Sequence, residues 1–81
     1  MNEAEIYGQL NGIFNELFFR DDIVLKPETF SNDIEGWDSY KYVEILLTVE
    51  DRFSIKIPNR EIEELRSIGD LVGLIISKTG Q

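Results

Sequence analysis

The 81-residue chain carries 16 acidic against 8 basic side chains, a formal net charge of −8, and has neither cysteine nor histidine. A surface of that sign repels phosphate backbones and anionic lipids and attracts basic protein surfaces, so nucleic acid is excluded as an expected partner. With the usual general base, the commonest metal ligand and every thiolate missing, hydrolase, phosphatase, metalloenzyme and disulfide-scaffold chemistries lack their groups, while the 42% apolar content is that of a folded domain.

The start, Met1 to Glu5, has neither the basic nor the apolar region of a leader, and no apolar run approaches the roughly 18 residues of a membrane span. A soluble, monomeric, cytoplasmic protein with a single domain over residues 1–81 is therefore expected. From Glu3 to Phe18, Ile6, Leu10, Ile13, Phe14 and Leu17 recur at three- and four-residue steps, which predicts a helix with one apolar face. Asn2 followed by Glu5 supplies its start signal, and Gly8 and Gly12 make it dependent on tertiary packing.

Residues 19–38 show no sustained period and carry Asp21, Asp22, Pro27, Asn32, Asp33 and Gly36, which predicts a long connection. A connection of about 20 residues in so small a domain needs a task of its own. Phe30 and Ile34, four apart, are suited to one helical turn pinning it to the core, with Phe30 and Trp37 as large anchors. A second helix is expected from Asp38, as cap, to about Phe53. Ser54 to Pro58 breaks the pattern, because proline disfavours a helical residue before it. A short third helix is expected over Asn59 to Leu65 with Asn59 as its cap. Ser67 followed by Asp70 predicts a last helix through Leu71, Leu74 and Ile75 to about Lys78, with Gly80 beyond its end.

On a wheel of about 100° per residue the second helix shows two apolar stripes. Tyr42, Ile45, Leu46, Val49 and Phe53 fall within roughly 100° of arc, wide enough for a core face. Tyr40, Val43 and Leu47 centre roughly 130° away, flanked by Glu44, Glu50 and Asp51, with Lys41 and Arg52 on the far side. An apolar strip rimmed by acids suits a basic, apolar groove on a partner. The wheel leaves a second option equally open, in which this strip packs beneath the 19–38 connection and the acids are merely solvated.

At the head of this helix stand Asp38 and Ser39. The free N–H groups and the positive end of the helix dipole would stabilise a phosphate ester formed on Ser39, and Lys41 in the same turn would favour an attached phosphodiester. By themselves the two residues favour a plain helix cap over an attachment site.

The run Trp37-Asp38-Ser39-Tyr40-Lys41-Tyr42-Val43-Glu44-Ile45-Leu46 resembles the attachment motif of the acyl carrier protein family, Asp-Ser-Leu at the head of an acidic, apolar second helix. Val49-Glu50-Asp51-Arg52-Phe53 is similar to the acid-rich end of that helix, Ile55-Lys56-Ile57-Pro58 to the segment before the short third helix, and Ser67-Ile68-Gly69-Asp70-Leu71 to the opening of the last one. Pro27, Phe30 and Ile34 occupy places typical of the long first loop.

The resemblance implies an all-α, four-helix bundle with a long loop between helices 1 and 2 and a short third helix. It implies a freestanding carrier, not an enzyme, that holds an acyl or aminoacyl cargo as a thioester on 4'-phosphopantetheine. That arm would come from coenzyme A and be attached to Ser39 beside Asp38 by a phosphopantetheinyl transferase. Since the arm brings its own thiol, a chain without cysteine or histidine suffices. Tyr40, Val43, Glu44, Leu47, Glu50 and Asp51 become the face met by the transferase, by a loading ligase or transferase and by downstream acyl-processing enzymes.

Three features depart from the housekeeping fatty-acid carriers: Tyr40 for the usual leucine, Lys41 where an acid is common, and a Glu35-Gly36-Trp37 loop one residue longer. Trp37 and Tyr40 are expected to narrow the entrance to a cargo cavity between helices. These departures point to a dedicated carrier in a specialised biosynthetic pathway.

Three rivals stand against this reading. Asp33 to Glu44 has the length of a calcium loop, with Asp33, Glu35 and Glu44 at ligand positions, but Asp38 stands where that loop needs its glycine and Trp37 precedes it. The stronger rival is a non-enzymatic acidic helical interaction domain without the arm. An independent enzyme is the weakest, since no histidine activates Ser39.

Overall fold

The computed structural model describes residues 2–79, and it is helical throughout, with no strand among the described residues. Helix α1 spans Glu3–Phe18, α2 Ser39–Phe53, α3 Asn59–Ile62 and α4 Ile68–Thr79, with a 3-10 turn at Ser31–Asp33 inside the first loop. The all-helical, four-helix expectation is met. Gly80, placed beyond the end of the last helix, lies outside the described residues.

Local chemistry starts and stops the helices much as the sequence indicates. Asn2 Oδ1 accepts from Glu5 N–H at 2.8 Å while Glu5 Oε1 accepts from Asn2 N–H at 3.0 Å, a reciprocal pair that satisfies two otherwise free donors. At the other end of α1, Phe19 takes the left-handed conformation with φ 56°. The start of α4 departs in detail: Ser67 Oγ accepts from Asp70 N–H at 3.2 Å, but the Asp70 carboxylate reaches back to Arg66 N–H at 2.9 Å, one residue before the serine. The third helix is shorter than expected and is not capped by Asn59. It ends at Ile62, and Pro58 occupies the capping position with no side-chain bond. A residue that cannot donate loses nothing at a helix start, so proline displaces the asparagine.

Helix α1 packs against both α2 and α4. Ile6, Leu10, Ile13 and Phe14 of α1, Ile45 and Val49 of α2, and Ile75 of α4 are fully buried. Each such side chain contributes roughly 1.5–3 kcal/mol by leaving water, which offsets the helix-weakening glycines of α1.

The long loop is ordered, and its task is to close the bundle. Asn11 and Asn15, on α1, use their side-chain amides as a surrogate strand. Asn15 Oδ1 accepts from Ile23 N–H at 2.8 Å, Asn15 Nδ2 donates to the Ile23 carbonyl at 3.1 Å, and Asn11 Oδ1 accepts from Leu25 N–H at 2.8 Å. The loop backbone is thereby satisfied while Ile23 and Leu25 enter the core. Farther on, the Thr29 and Pro27 carbonyls accept from Ile68 N–H at 2.8 Å and Gly69 N–H at 2.9 Å, capping α4. A Cβ on Gly69 would stand 3.1 Å from the Pro27 oxygen, so this close approach favours glycine there. Phe30 and Ile34 bracket the 3-10 turn, with Asp33 N–H donating to the Phe30 carbonyl at 2.8 Å and Asp33 Oδ2 accepting from Phe30 N–H at 3.0 Å.

Candidate functional site

Asp38 precedes α2 in an extended conformation and its Oδ1 accepts from Lys41 N–H at 2.9 Å, so the carboxylate is the N-cap. Ser39 is the first helical residue and is exposed. Its hydroxyl is therefore carried on a rigid 15-residue helix, at the end where backbone N–H groups and the helix dipole stabilise an anion. Gly36, at φ 92°, makes the turn that brings the chain from the 3-10 segment into this cap.

Lys41 does not serve the role expected from its place in the first turn. Its ammonium donates to the Leu17 carbonyl at 3.0 Å, pairs with Glu44 Oε1 at 2.9 Å and lies 5.4 Å from the centroid of the Phe18 ring. The cation is held at the negative end of α1, a more favourable position than the positive end of its own helix.

The two stripes of α2 separate cleanly. Ile45, Leu46, Val49 and Phe53 are buried, and Tyr42 is half-buried against them. Tyr40, Val43 and Leu47 remain 78%, 55% and 60% exposed, so the second stripe does not pack beneath the first loop. The acids beside it differ in freedom. Asp51 is exposed, Glu44 is paired with Lys41, and Glu50 Oε2 accepts from Ile57 N–H at 2.7 Å, anchoring the segment after α2. Val43 and Leu47 also form one wall of a groove of about 320 Å³ whose other wall is Ile57 and Ile62.

Neither Trp37 nor Tyr40 is among the residues that line that groove. Trp37 turns into an aromatic cluster, with ring centroids 5.3 Å from Phe14, 5.3 Å from Phe30 and 5.8 Å from Tyr42. On the flank of Ser39 away from the groove, Ser31, Trp37, Asp38, Ser39 and Tyr42 enclose a shallow cleft of about 230 Å³. The Tyr42 hydroxyl is buried without a hydrogen-bond partner, a state that costs about 1–3 kcal/mol. Burial pushes the Tyr42 phenol above its usual value, with Arg66 acting in the opposite sense.

An exposed hydroxyl at a helix N-terminus fits a phosphate-linked chain, so the residues present suit phosphopantetheine. Wheel geometry assigned Tyr42 to the core and missed its place beside Ser39. The three-residue spacing between them was the available signal. Asp33, Glu35 and Glu44 do not assemble a cation site: among the described residues no group of three metal-ligating side chains comes together.

A family profile described as a phosphopantetheine attachment site matches residues 13–75. The chain is 35% identical to an acyl carrier protein of Lactobacillus acidophilus over 99% of this chain and 100% of that one. It is 34% identical to an acyl carrier protein of Kineococcus radiotolerans over 98% of each. Its fold is similar to the solution NMR structure of a holo acyl carrier protein from Geobacter metallireducens, with a TM-score of 0.84 and 36% identity, covering 89% of this chain and 83% of that one.

Proposed function

This chain belongs to the acyl carrier protein family, whose members carry acyl groups on 4'-phosphopantetheine, and on that premise we propose that Ser39 Oγ is the atom to which the arm is joined. The observation that supports this atom is its exposure on the first turn of α2, with the Asp38 carboxylate held aside as the cap. In the attachment, the Ser39 oxygen forms a new bond to the phosphorus of coenzyme A that bears the pantetheine. The pyrophosphate link breaks, the nucleotide part leaves, and the serine proton passes to the transferase. The chain's own contribution is to offer the hydroxyl without a competing backbone partner and to stabilise the resulting phosphodiester at the helix N-terminus. When bound, the arm supplies the thiol on which the cargo is held as a thioester.

The partner face is Tyr40, Val43 and Leu47 with Glu44, Glu50 and Asp51. It serves a phosphopantetheinyl transferase, an acyl- or aminoacyl-loading enzyme and the enzymes that process the cargo. Support comes from the 55–78% exposure of its three apolar members, which stand together on one face of α2. Asp51 contributes most of the accessible charge, because Glu44 and Glu50 already have partners. We take residues 1–81 as one monomeric domain working in the cytoplasm. Its departures at Trp37, Tyr40 and Lys41 support a dedicated carrier in a specialised pathway. No helix is long and apolar enough to cross a membrane.

Incubation with coenzyme A and a broad-specificity transferase tests the attachment. The protein should gain one phosphopantetheine by mass, mapped to Ser39, and Ser39→Ala should gain none. Labelling that persists in Ser39→Ala refutes the assignment.

A further inference from the structure

Helix α2 carries two cations, Lys41 and Arg52, and both reach toward α1. Arg52 pairs with Glu16 at 2.9 Å. Lys41 differs in that it also holds an acid on the rim of the exposed stripe, Glu44 Oε1, 2.9 Å away and one turn along the helix. The Leu17 carbonyl at 3.0 Å and the Phe18 ring, its centroid 5.4 Å away, fix the ammonium in place. The Lys41 side chain is 20% exposed against 42% for Glu44, and Glu44 Oε1 has no accessible surface. An ordinary surface pair is weakened by the entropy of ordering two long side chains, but here α1 has already ordered the lysine.

The rim acids are therefore unlike one another. Tyr40, Val43, Leu47 and Asp51 follow at steps of three, four and four, so Asp51 continues the exposed stripe toward the C-terminal end of α2. It is exposed and enters no salt bridge among the described residues. Beside it, Glu50 accepts from Ile57 N–H, a dipole that leaves its net charge in place. Near the serine, by contrast, Glu44 is compensated by Lys41 and the Asp38 carboxylate is turned to the N–H of its own helix. Negative potential on this face is thus concentrated at residues 50 and 51, about 18 Å along the helix from Ser39.

Resting on the partner face described above, we propose that Lys41 is a specificity-determining residue of this carrier: by neutralising Glu44 it confines charged recognition to the Glu50 and Asp51 end of the stripe. The partner that fits is a protein surface with an apolar patch for Tyr40, Val43 and Leu47 and a lysine or arginine opposite Asp51, with no cation opposite Glu44. A partner that places a cation there competes with Lys41 for the carboxylate and gains less from it. Lys41 acts through Glu44, not by touching the partner.

The test measures kcat/KM for loading of the full chain from coenzyme A by a broad-specificity phosphopantetheinyl transferase. Glu44→Gln is introduced into the unaltered protein, into Lys41→Met and into Lys41→Arg. Removing the lysine charge frees Glu44, so Glu44→Gln should cost the Lys41→Met protein about 2- to 5-fold, the worth of one exposed ion pair with the transferase. The same change should cost the unaltered protein and Lys41→Arg distinctly less. The extra cost in Lys41→Met should shrink as salt rises from about 0.01 to about 0.15 M, which a merely structural role of Lys41 would not produce. Urea denaturation accompanies each variant, and Lys41→Gln, whose amide still donates, replaces Lys41→Met if that protein does not fold. Equal costs of Glu44→Gln in all backgrounds, with Asp51→Asn still slowing the transfer, overturn the role of Lys41 and leave the partner face standing. Transfer to Asp51→Asn and Leu47→Ala at the unaltered rate overturns both.

Discussion

The two apolar stripes of α2 have similar composition and opposite fates. Ile45, Leu46, Val49 and Phe53 are at most 7% exposed, while Tyr40, Val43 and Leu47 are 55–78% exposed. The first stripe faces α1 and the closing loop, so its burial supplies folding free energy. The second faces solvent between acids, so its apolar surface is retained at no benefit to stability. One helix thus divides its circumference between a buried face that holds the fold and an exposed face that we propose meets other proteins, with Ser39 at its head.

That division is sharpened by paired truncations. Ile45→Ala, at a fully buried site touching the α1 face, should cost about 2–5 kcal/mol, a large share of the 5–15 kcal/mol typical of a domain. Urea denaturation measures it. A loss below about 1 kcal/mol would mean the core stripe is not the one described. Asp38→Ala removes the cap between the two stripes and should cost about 0.5–2 kcal/mol in the same assay, with Ser39 still chemically intact.

On the other stripe, Leu47→Ala and Asp51→Lys should change stability by no more than about 0.5 kcal/mol while slowing phosphopantetheine transfer or cargo loading. Glu50→Gln should behave in the reverse manner, weakening the charge-assisted bond to Ile57 N–H and so stability before partner contact. Normal loading rates in Leu47→Ala and Asp51→Lys together would reduce the exposed stripe to ordinary surface.

The smallest effect concerns pH. Burial raises both the Tyr7 and Tyr42 phenols, with Glu3 and Glu28 adding to the shift at Tyr7. The unfolded chain then releases these protons first as pH rises. Their contribution is intact below about pH 10 and is lost as pH climbs through the folded-state values. Melting temperature tracked upward from about pH 9 should fall, and Tyr42→Phe should flatten part of the fall. An unchanged slope would place the Tyr42 hydroxyl in water rather than in its buried position.

Legibility in the sequence varied with the range of the interaction involved. Asn2, Glu5, Asp38 and Ser67 act on backbone groups three residues away, so caps and helix starts could be read directly. The core stripe came from helical periodicity. The tasks of Asn11 and Asn15 could not be read, because an asparagine inside a helical pattern carries no sign that it will bond a loop up to fourteen residues on. The setting of Lys41 lies beyond sequence reading for a related reason: only the tertiary structure brings the negative end of α1 within reach of its side chain.

By itself the sequence determined the helices, the serine presented at the head of α2 and the acid-rimmed second stripe, because capping and periodicity are local properties of a chain. Only the tertiary structure decided which stripe stays in water, which acids remain free, and that Trp37 and Tyr42 form a cleft beside Ser39. Those outcomes depend on where the first loop lies, and its position is set by asparagine amides and aromatic contacts between residues distant along the chain.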